Sequence, residues 1–210
     1  MAPEELTCLL NVLKKHQFRG AHAEIGTAAG GTLWRMMACY PEEARPTFVV
    51  VDPLRYFPNQ LEIVKKNLLE NKVDPSPVDF RQKTSDQAVA DAVRAGERFD
   101  FIFVDGSHKI CRVTEDLRWA ECLNMGGIIA FHDVCSRLRG VKIAVKRFLR
   151  KHPEFVVTAH EGTLVVVKKA AEPGRALVTA WDRLFALACS PFLQIELSIR
   201  KRLRTLQSKE

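Results

Sequence analysis

The sequence predicts an α/β chain: a doubly wound, mostly parallel seven-stranded sheet, closed by an antiparallel hairpin and followed by a C-terminal helical extension. Three observations predict it. Short β-branched and aromatic runs such as Thr47–Val51 and Phe99–Val104 are almost continuously apolar, as strands buried on both faces are. They alternate with segments whose apolar residues recur at helical spacing, and strand–helix alternation gives a parallel sheet covered on both sides. A glycine-rich stretch, Gly26–Gly31, lies where the first strand meets the next helix.

The elements follow in order. Leu6, Leu9, Leu10 and Leu13 share a helical face, and Pro3 suits a first turn. His22–Ile25 reads as a strand and Thr32–Tyr40 as a helix stopped by Pro41. Thr47–Val51 is a strand ending in Asp52-Pro53. Gln60–Asn71 places Leu61, Val64 and Leu68 on one helical face. Pro75–Gln82 reads as strand, Asp86–Ala95 as helix, Phe99–Val104 as strand and Thr114–Leu123 as helix. Gly126-Gly127 turns into strand Ile128–Phe131, and Val141–Lys151 is helical. Phe155–Thr158 and Thr163–Lys168 flank a Glu161-Gly162 turn, a hairpin pattern. Residues 1–169 form the expected domain and 170–210 the extension. There Leu177, Trp181, Leu184, Phe185 and Ala188 suggest one helical stripe, and Ser190-Pro191 could cap a second helix with Phe192, Ile195 and Ile199. That helical pair is expected to pack on the domain or on a second copy in a homodimer. The basic tail (Arg200, Lys201, Arg202, Arg204, Lys209) offers peripheral membrane contact as the sharper reading.

Composition narrows the class. The chain has 210 residues, 47% apolar and 27% charged, which fits a globular domain rather than a disordered one. Six cysteines without a C-x-x-C pair argue against a disulfide scaffold or structural zinc. Acids precede the first apolar stretch and bases follow it, the reverse of a signal peptide, so a cytoplasmic address is expected. The formal charge is +7. It reads as spread along the chain, and with only 8% aromatics a solvated surface is expected ahead of a nucleic-acid partner.

The segment Glu24-Ile25-Gly26-Thr27-Ala28-Ala29-Gly30-Gly31 carries the chemistry. Glycines let a backbone turn tightly and approach a ligand, and a helix N-terminus favours negative groups. From Gly26 the pattern is G-x-A-x-x-G, close to a dinucleotide fingerprint; a bare turn is the bland alternative. Asp52, after the next strand, suits ribose hydroxyls of either cofactor type. Glu24 discriminates, because a carboxylate there repels a pyrophosphate and accommodates an ammonium group.

These residues resemble class I S-adenosylmethionine-dependent methyltransferases. E-x-G-x-x-x-G at Glu24–Gly30 and Asp52 look like the family's first two motifs. F-D-F-I-F-V-D-G-S-H at Phe99–His108 resembles its fourth-strand motif, and G-G-I-I-A-F-H-D-V at Gly126–Val134 its fifth. D-G-x-H followed by H-D is similar to the small-molecule O-methyltransferases that modify sugars and antibiotics. The resemblance implies S-adenosyl-L-methionine as cofactor, with Glu24, Gly26 and Gly30 lining its methionine end and Thr27 and Asp105 also in contact with it. Asp52 is then expected on the ribose, and Ser85 and Asp86 near the adenine. It implies a small hydroxylated acceptor and His108 as general base, with Lys109 the alternative if burial lowers its pKa. Asp105, His132 and Asp133 are the candidate ligands of a divalent metal such as Mg2+. His132 stands where the metal-dependent branch usually offers a carboxylate, and imidazole suits softer metals.

Competing readings are a nicotinamide-dependent oxidoreductase, a non-catalytic binding protein on the same fold, and an RNA methyltransferase. The first lacks a Tyr-x-x-x-Lys pair at Tyr40 or Tyr56. The last lacks N/D-P-P-Y/F after the fourth strand. Trp34, Phe18, Met36 and Met37 are expected in the core. Arg55-Tyr56-Phe57 reads equally as a site cover or as loop. Cys135 has no base arranged to activate it.

Overall fold

The computed structural model describes residues 1–207; the side chains of Leu197 and of residues 199–207 fall outside the described part. Seven strands form one sheet: β1 (His22–Ile25), β2 (Phe48–Val51), β3 (Asp79–Arg81), β4 (Phe99–Val104), β5 (Leu123–Phe131), β6 (Phe155–Glu161) and β7 (Leu164–Lys169). Their order is β3-β2-β1-β4-β5-β7-β6. The β1–β5 pairs are parallel, and β7 runs antiparallel to both β5 and β6. The helices are α1 (Pro3–His16), α2 (Gly31–Met37), α3 (Gln60–Glu70), α4 (Ser85–Ala95), α5 (Ile110–Asp116), α6 (Arg139–Lys151) and α7 (Ala180–Gln207).

Alternation along each strand builds two cores. Ala23, Ile25, Val49, Val51 and Ile102 point to the side covered by α4, α5 and α6. His22, Phe48, Val50, Phe101 and Phe103 point to the other, against Leu9, Leu13, Leu33, Met36, Val64 and Leu68 of α1, α2 and α3. Met36 and Met37 are buried, and Phe18 and Trp34 pack against that second core, as expected from the sequence. His22 is structural. It lies between the Tyr40 hydroxyl (2.8 Å) and the Gly20 carbonyl (2.9 Å), and burial lowers its pKa to about 4.

Register decides where the site is. Ile25 is level with Val51 and Val104, and Val104 with Phe131. Gly26, Asp52, Asp105 and His132 therefore all leave the sheet along one edge. The strand order reverses between β1 and β4, so a crevice opens there beyond the strand ends.

Four expectations are corrected. The third strand covers only Asp79–Arg81, because the prolines at 75 and 77 keep the preceding residues in a turn at the sheet edge. The helix expected over Thr114–Leu123 begins earlier, at Ile110. It tightens to a 3-10 turn at Leu117–Cys122, and Leu123 opens β5. Ser190-Pro191 does not start a second helix: α7 runs through Pro191. Pro191 is exposed, and the helix is clamped on either side of it, by Asp182 and by an Arg139–Glu196 pair at 3.0 Å. Trp181 and Leu184 do not share the packed stripe; Phe185, Ala186, Cys189 and Leu193 do. The tail expected from Ile199, Arg200, Lys201, Arg202, Arg204 and Lys209 lies outside the described side chains.

Asp182 fastens α7. Its carboxylate accepts from Arg147 Nε (3.1 Å), from Lys151 Nζ, and from the Thr179 N–H (3.0 Å) and hydroxyl (2.7 Å). Burial opposes its ionisation, but these donors outweigh it and hold the carboxyl well below the usual range. A lowered carboxyl pKa adds stability above the unfolded value that disappears as pH falls through the folded one. Asp182→Ala is expected to cost about 3 kcal/mol at neutral pH, since it strands two cations. The penalty should vanish in strong acid, as read by denaturant unfolding at both pH values.

Candidate active site

The glycine loop is shaped by two close approaches. Gly26 has φ +86°, and a Cβ there would lie 2.5 Å from the Asp105 carbonyl oxygen, so the β1 and β4 loops touch backbone to backbone. Gly30 has φ +79°, and its Cβ would meet Val64 Cγ1 at 3.0 Å. Between them Ala28 also adopts a left-handed φ of 45°. Two α3 side chains that the sequence reading missed hold this loop: Gln60 Nε2 donates to the Ala28 carbonyl (2.9 Å) and Asn67 Nδ2 to the Ala29 carbonyl (2.8 Å). Gln60 Oε1 also accepts from the Tyr56 N–H (2.9 Å), tying in the loop after β2. Tyr56 itself is exposed.

Asp52 accepts from the Thr27 N–H (3.0 Å) and the Leu54 N–H (2.7 Å), which fixes its carboxylate against the glycine turn. Glu24 is 1% exposed. Burial raises its pKa to about 8, and the nearby Asp105 and Asp52 add to the rise. Among the described residues, Glu24 Oε2 and Thr27 Oγ1 are the buried side-chain atoms left without a hydrogen-bond partner. Unpaired buried polar atoms are costly, and two of them at the glycine turn form a place prepared for a donor.

At the β4 and β5 ends the sequence candidates converge. His132 is buried, with Nδ1 2.9 Å from Asp105 Oδ1 and 3.7 Å from Asp133 Oδ2. Its Nε2 lies 3.1 Å from Glu5 Oε2. Burial opposes the charged ring, but Asp105, Glu5 and Asp133 together raise its pKa. Glu5 comes from α1 and was missed. Its carboxylate also accepts from the Ala2 N–H (2.8 Å) and from the Thr163 N–H (2.6 Å) and hydroxyl (2.7 Å). Burial works against this ionisation too, yet these bonds lower Glu5 to about 2. His108 is half-exposed on the β4–α5 loop. Its Nε2 sits 2.7 Å from Asp133 Oδ2, which raises the imidazole pKa against desolvation. Asp133 has φ +61°, a strained conformation that aims its carboxylate between the two histidines. Ligand atoms of Asp105, His132 and Asp133 all lie within 4.8 Å of one another, a spacing that a common cation can bridge.

Ser85 and Asp86 sit at the start of α4 and are engaged by protein. The Ser85 hydroxyl accepts from Trp119 Nε1 (2.9 Å) and bonds buried Asp116, whose pKa burial raises to about 7. Asp86 meets Arg112 at 3.2 Å. Lys109, the alternative base, is exposed and not buried.

Comparisons with known proteins agree with this fold. A family model described as a methyltransferase domain matches residues 23–134. No curated protein matches the chain. Among solved structures, an O-methyltransferase from Bacillus cereus in complex with S-adenosylhomocysteine (SAH) has a TM-score of 0.63 at 17% identity. The match covers 80% of this chain and 82% of that one. The O-methyltransferase TomG from Streptomyces achromogenes, of tomaymycin synthesis and solved with S-adenosylmethionine, gives 0.62 at 16% identity over 80% of both chains. A TDP-rhamnose 3'-O-methyltransferase of calicheamicin biosynthesis gives 0.63 at 14% over 78% of both. The oxidoreductase alternative is thereby set aside: the chain belongs to the methyltransferase-domain family, on the class I methyltransferase fold.

Proposed function

We propose that the chain transfers the methyl group of S-adenosylmethionine to a hydroxyl of a small molecule. The observation that carries this is the pair of buried, unpartnered atoms, Glu24 Oε2 and Thr27 Oγ1, beside the glycine turn. An amino-acid ammonium supplies the missing donors and converts a costly carboxyl into a charged pair. Asp52, fixed 3.0 Å from the Thr27 N–H, presents its remaining lone pairs to ribose hydroxyls. When bound, S-adenosylmethionine supplies an electrophilic methyl group for an in-line displacement.

The chain's own part is positioning and proton removal. Asp133 accepts from His108 Nε2, which orients the ring and leaves Nδ1 to take the acceptor's proton. Half-exposure of His108 lets an acceptor reach it. A divalent cation held by Asp105, Asp133 and His132 Nδ1 would lower the pKa of an acceptor hydroxyl. The residues fit such an ion, with Glu5 gripping Nε2 as a carboxylate behind a metal-bound histidine does. Two carboxylates and an imidazole suit Mn2+ or Zn2+ better than Mg2+. Two structural neighbours belong to tomaymycin and calicheamicin synthesis, which supports a sugar or natural-product acceptor.

The test is transfer of labelled methyl from S-adenosylmethionine to a panel of sugars, nucleotide sugars and phenols. Labelled product is expected with at least one class, and no transfer to any of them contradicts the proposal. For the metal, chelation is expected to lower turnover about 10-fold or more, with Mn2+ restoring it better than Mg2+. Turnover unchanged by chelator would remove Asp105, His132 and Asp133 as ligands.

A further inference from the structure

α7 has two apolar faces. Phe185, Ala186, Cys189 and Leu193 pack on the core beside α5 and α6. Trp181, Leu184, Leu187, Phe192 and Ile195 recur at helical spacing along the opposite side, all exposed; Trp181 and Phe192 are 75% and 76% accessible. A Trp and a Phe held in water beside aliphatic neighbours mark an interaction surface.

Charge says what covers it. The basic excess, read above as spread along the chain, is segregated. Residues 1–138 carry 17 Lys and Arg against 19 Asp and Glu; residues 139–210 carry 15 against 6. The positive charge thus sits in the same third that displays the apolar face. Arg139, Lys146 and Arg150 form an exposed row on the outer side of α6. Arg139 reaches Glu196 of α7, and Arg147 and Lys151 hold Asp182, so this row lies alongside α7. Four further bases, Arg200, Lys201, Arg202 and Arg204, follow in the sequence.

We propose that this face docks on an anionic lipid bilayer, with α7 lying in the interface and the α6 row against the head groups. No helix among the described residues is long and apolar enough to cross a membrane, so the contact is peripheral. A second copy of the chain is the competing occupant. A second copy using the same face would meet this basic surface with another of the same sign. Lipid head groups of opposite charge neutralise it instead.

The test is flotation of the full chain with vesicles of phosphatidylcholine alone and of phosphatidylcholine mixed with phosphatidylglycerol. Binding to the anionic vesicles is expected to be at least about tenfold stronger and to weaken with added salt. Phe192→Ser with Ile195→Ser should abolish it, and Lys146→Glu with Arg150→Glu should reduce it about tenfold. All four positions are exposed, so unchanged SAH binding and thermal unfolding serve as folding controls. Flotation that is absent, equal on neutral vesicles, or unaffected by both double variants overturns the proposal. So does a wild-type dimer that ignores vesicles and that Phe192→Ser turns into a monomer.

Discussion

Glu24→Gln is expected to weaken SAH binding by about two to three orders of magnitude and to stabilise the ligand-free protein at alkaline pH. Losing one partner of a desolvated charge pair costs roughly 2–5 kcal/mol, which sets the first figure. The second follows from the carboxyl's position. Its pKa rises from 4.5 to about 8 because it is buried. Between those values the folded chain keeps a proton that the unfolded chain has released, so stability falls as pH climbs through that window. The loss reaches up to roughly 4 kcal/mol at its alkaline end. A glutamine of the same shape never ionises, so the variant's stability should be nearly level over that range. Urea unfolding at either end of the window measures this. If wild type and variant show the same pH slope, Glu24 is not the buried neutral acid described here.

His108→Ala is expected to lower methyl transfer by about 10²–10⁴-fold, the range of a positioned base. SAH affinity should change by no more than a few-fold, because His108 contacts Asp133 and not the glycine loop. The side chain is half-exposed, so folding stability should move by only about 0.5 kcal/mol. Single-turnover transfer and a SAH titration on the same preparation separate the effects. Undiminished turnover would leave the acceptor proton to another group, and a parallel loss of affinity would make His108 a cofactor residue.

The convergence of the candidate residues was largely legible because the parallel sheet puts its strand ends at one edge. Each buried run, His22–Ile25, Thr47–Val51, Phe99–Val104 and Ile128–Phe131, hands its next residues to one crevice. Gly26, Asp52, Asp105 and His132 could thus be placed together from the strand pattern alone. What could not be read was support from afar. Glu5 meets His132 across 127 positions and Thr163 across 158, and no local pattern encodes such pairings. Gln60 and Asn67 looked like polar helix positions, although their amides pin the glycine loop. The continuity of α7 was misread because Pro191 normally ends a helix. Thr179 and Asp182, which bond each other across the first turn, were the overlooked start signal. The exposure of Trp181 and Leu184 escaped because helical spacing marks faces, not which face is covered.

The most direct measurement is calorimetric titration with SAH near pH 6.5, in two buffers of different ionisation enthalpy, with NAD as control. An ammonium entering beside Oε2 should expel the proton that the empty crevice keeps on Glu24. Binding with release of about one proton is therefore expected, with no release in Glu24→Gln and no heat from NAD. Binding of NAD without SAH, or SAH binding whose proton release survives in Glu24→Gln, would contradict it.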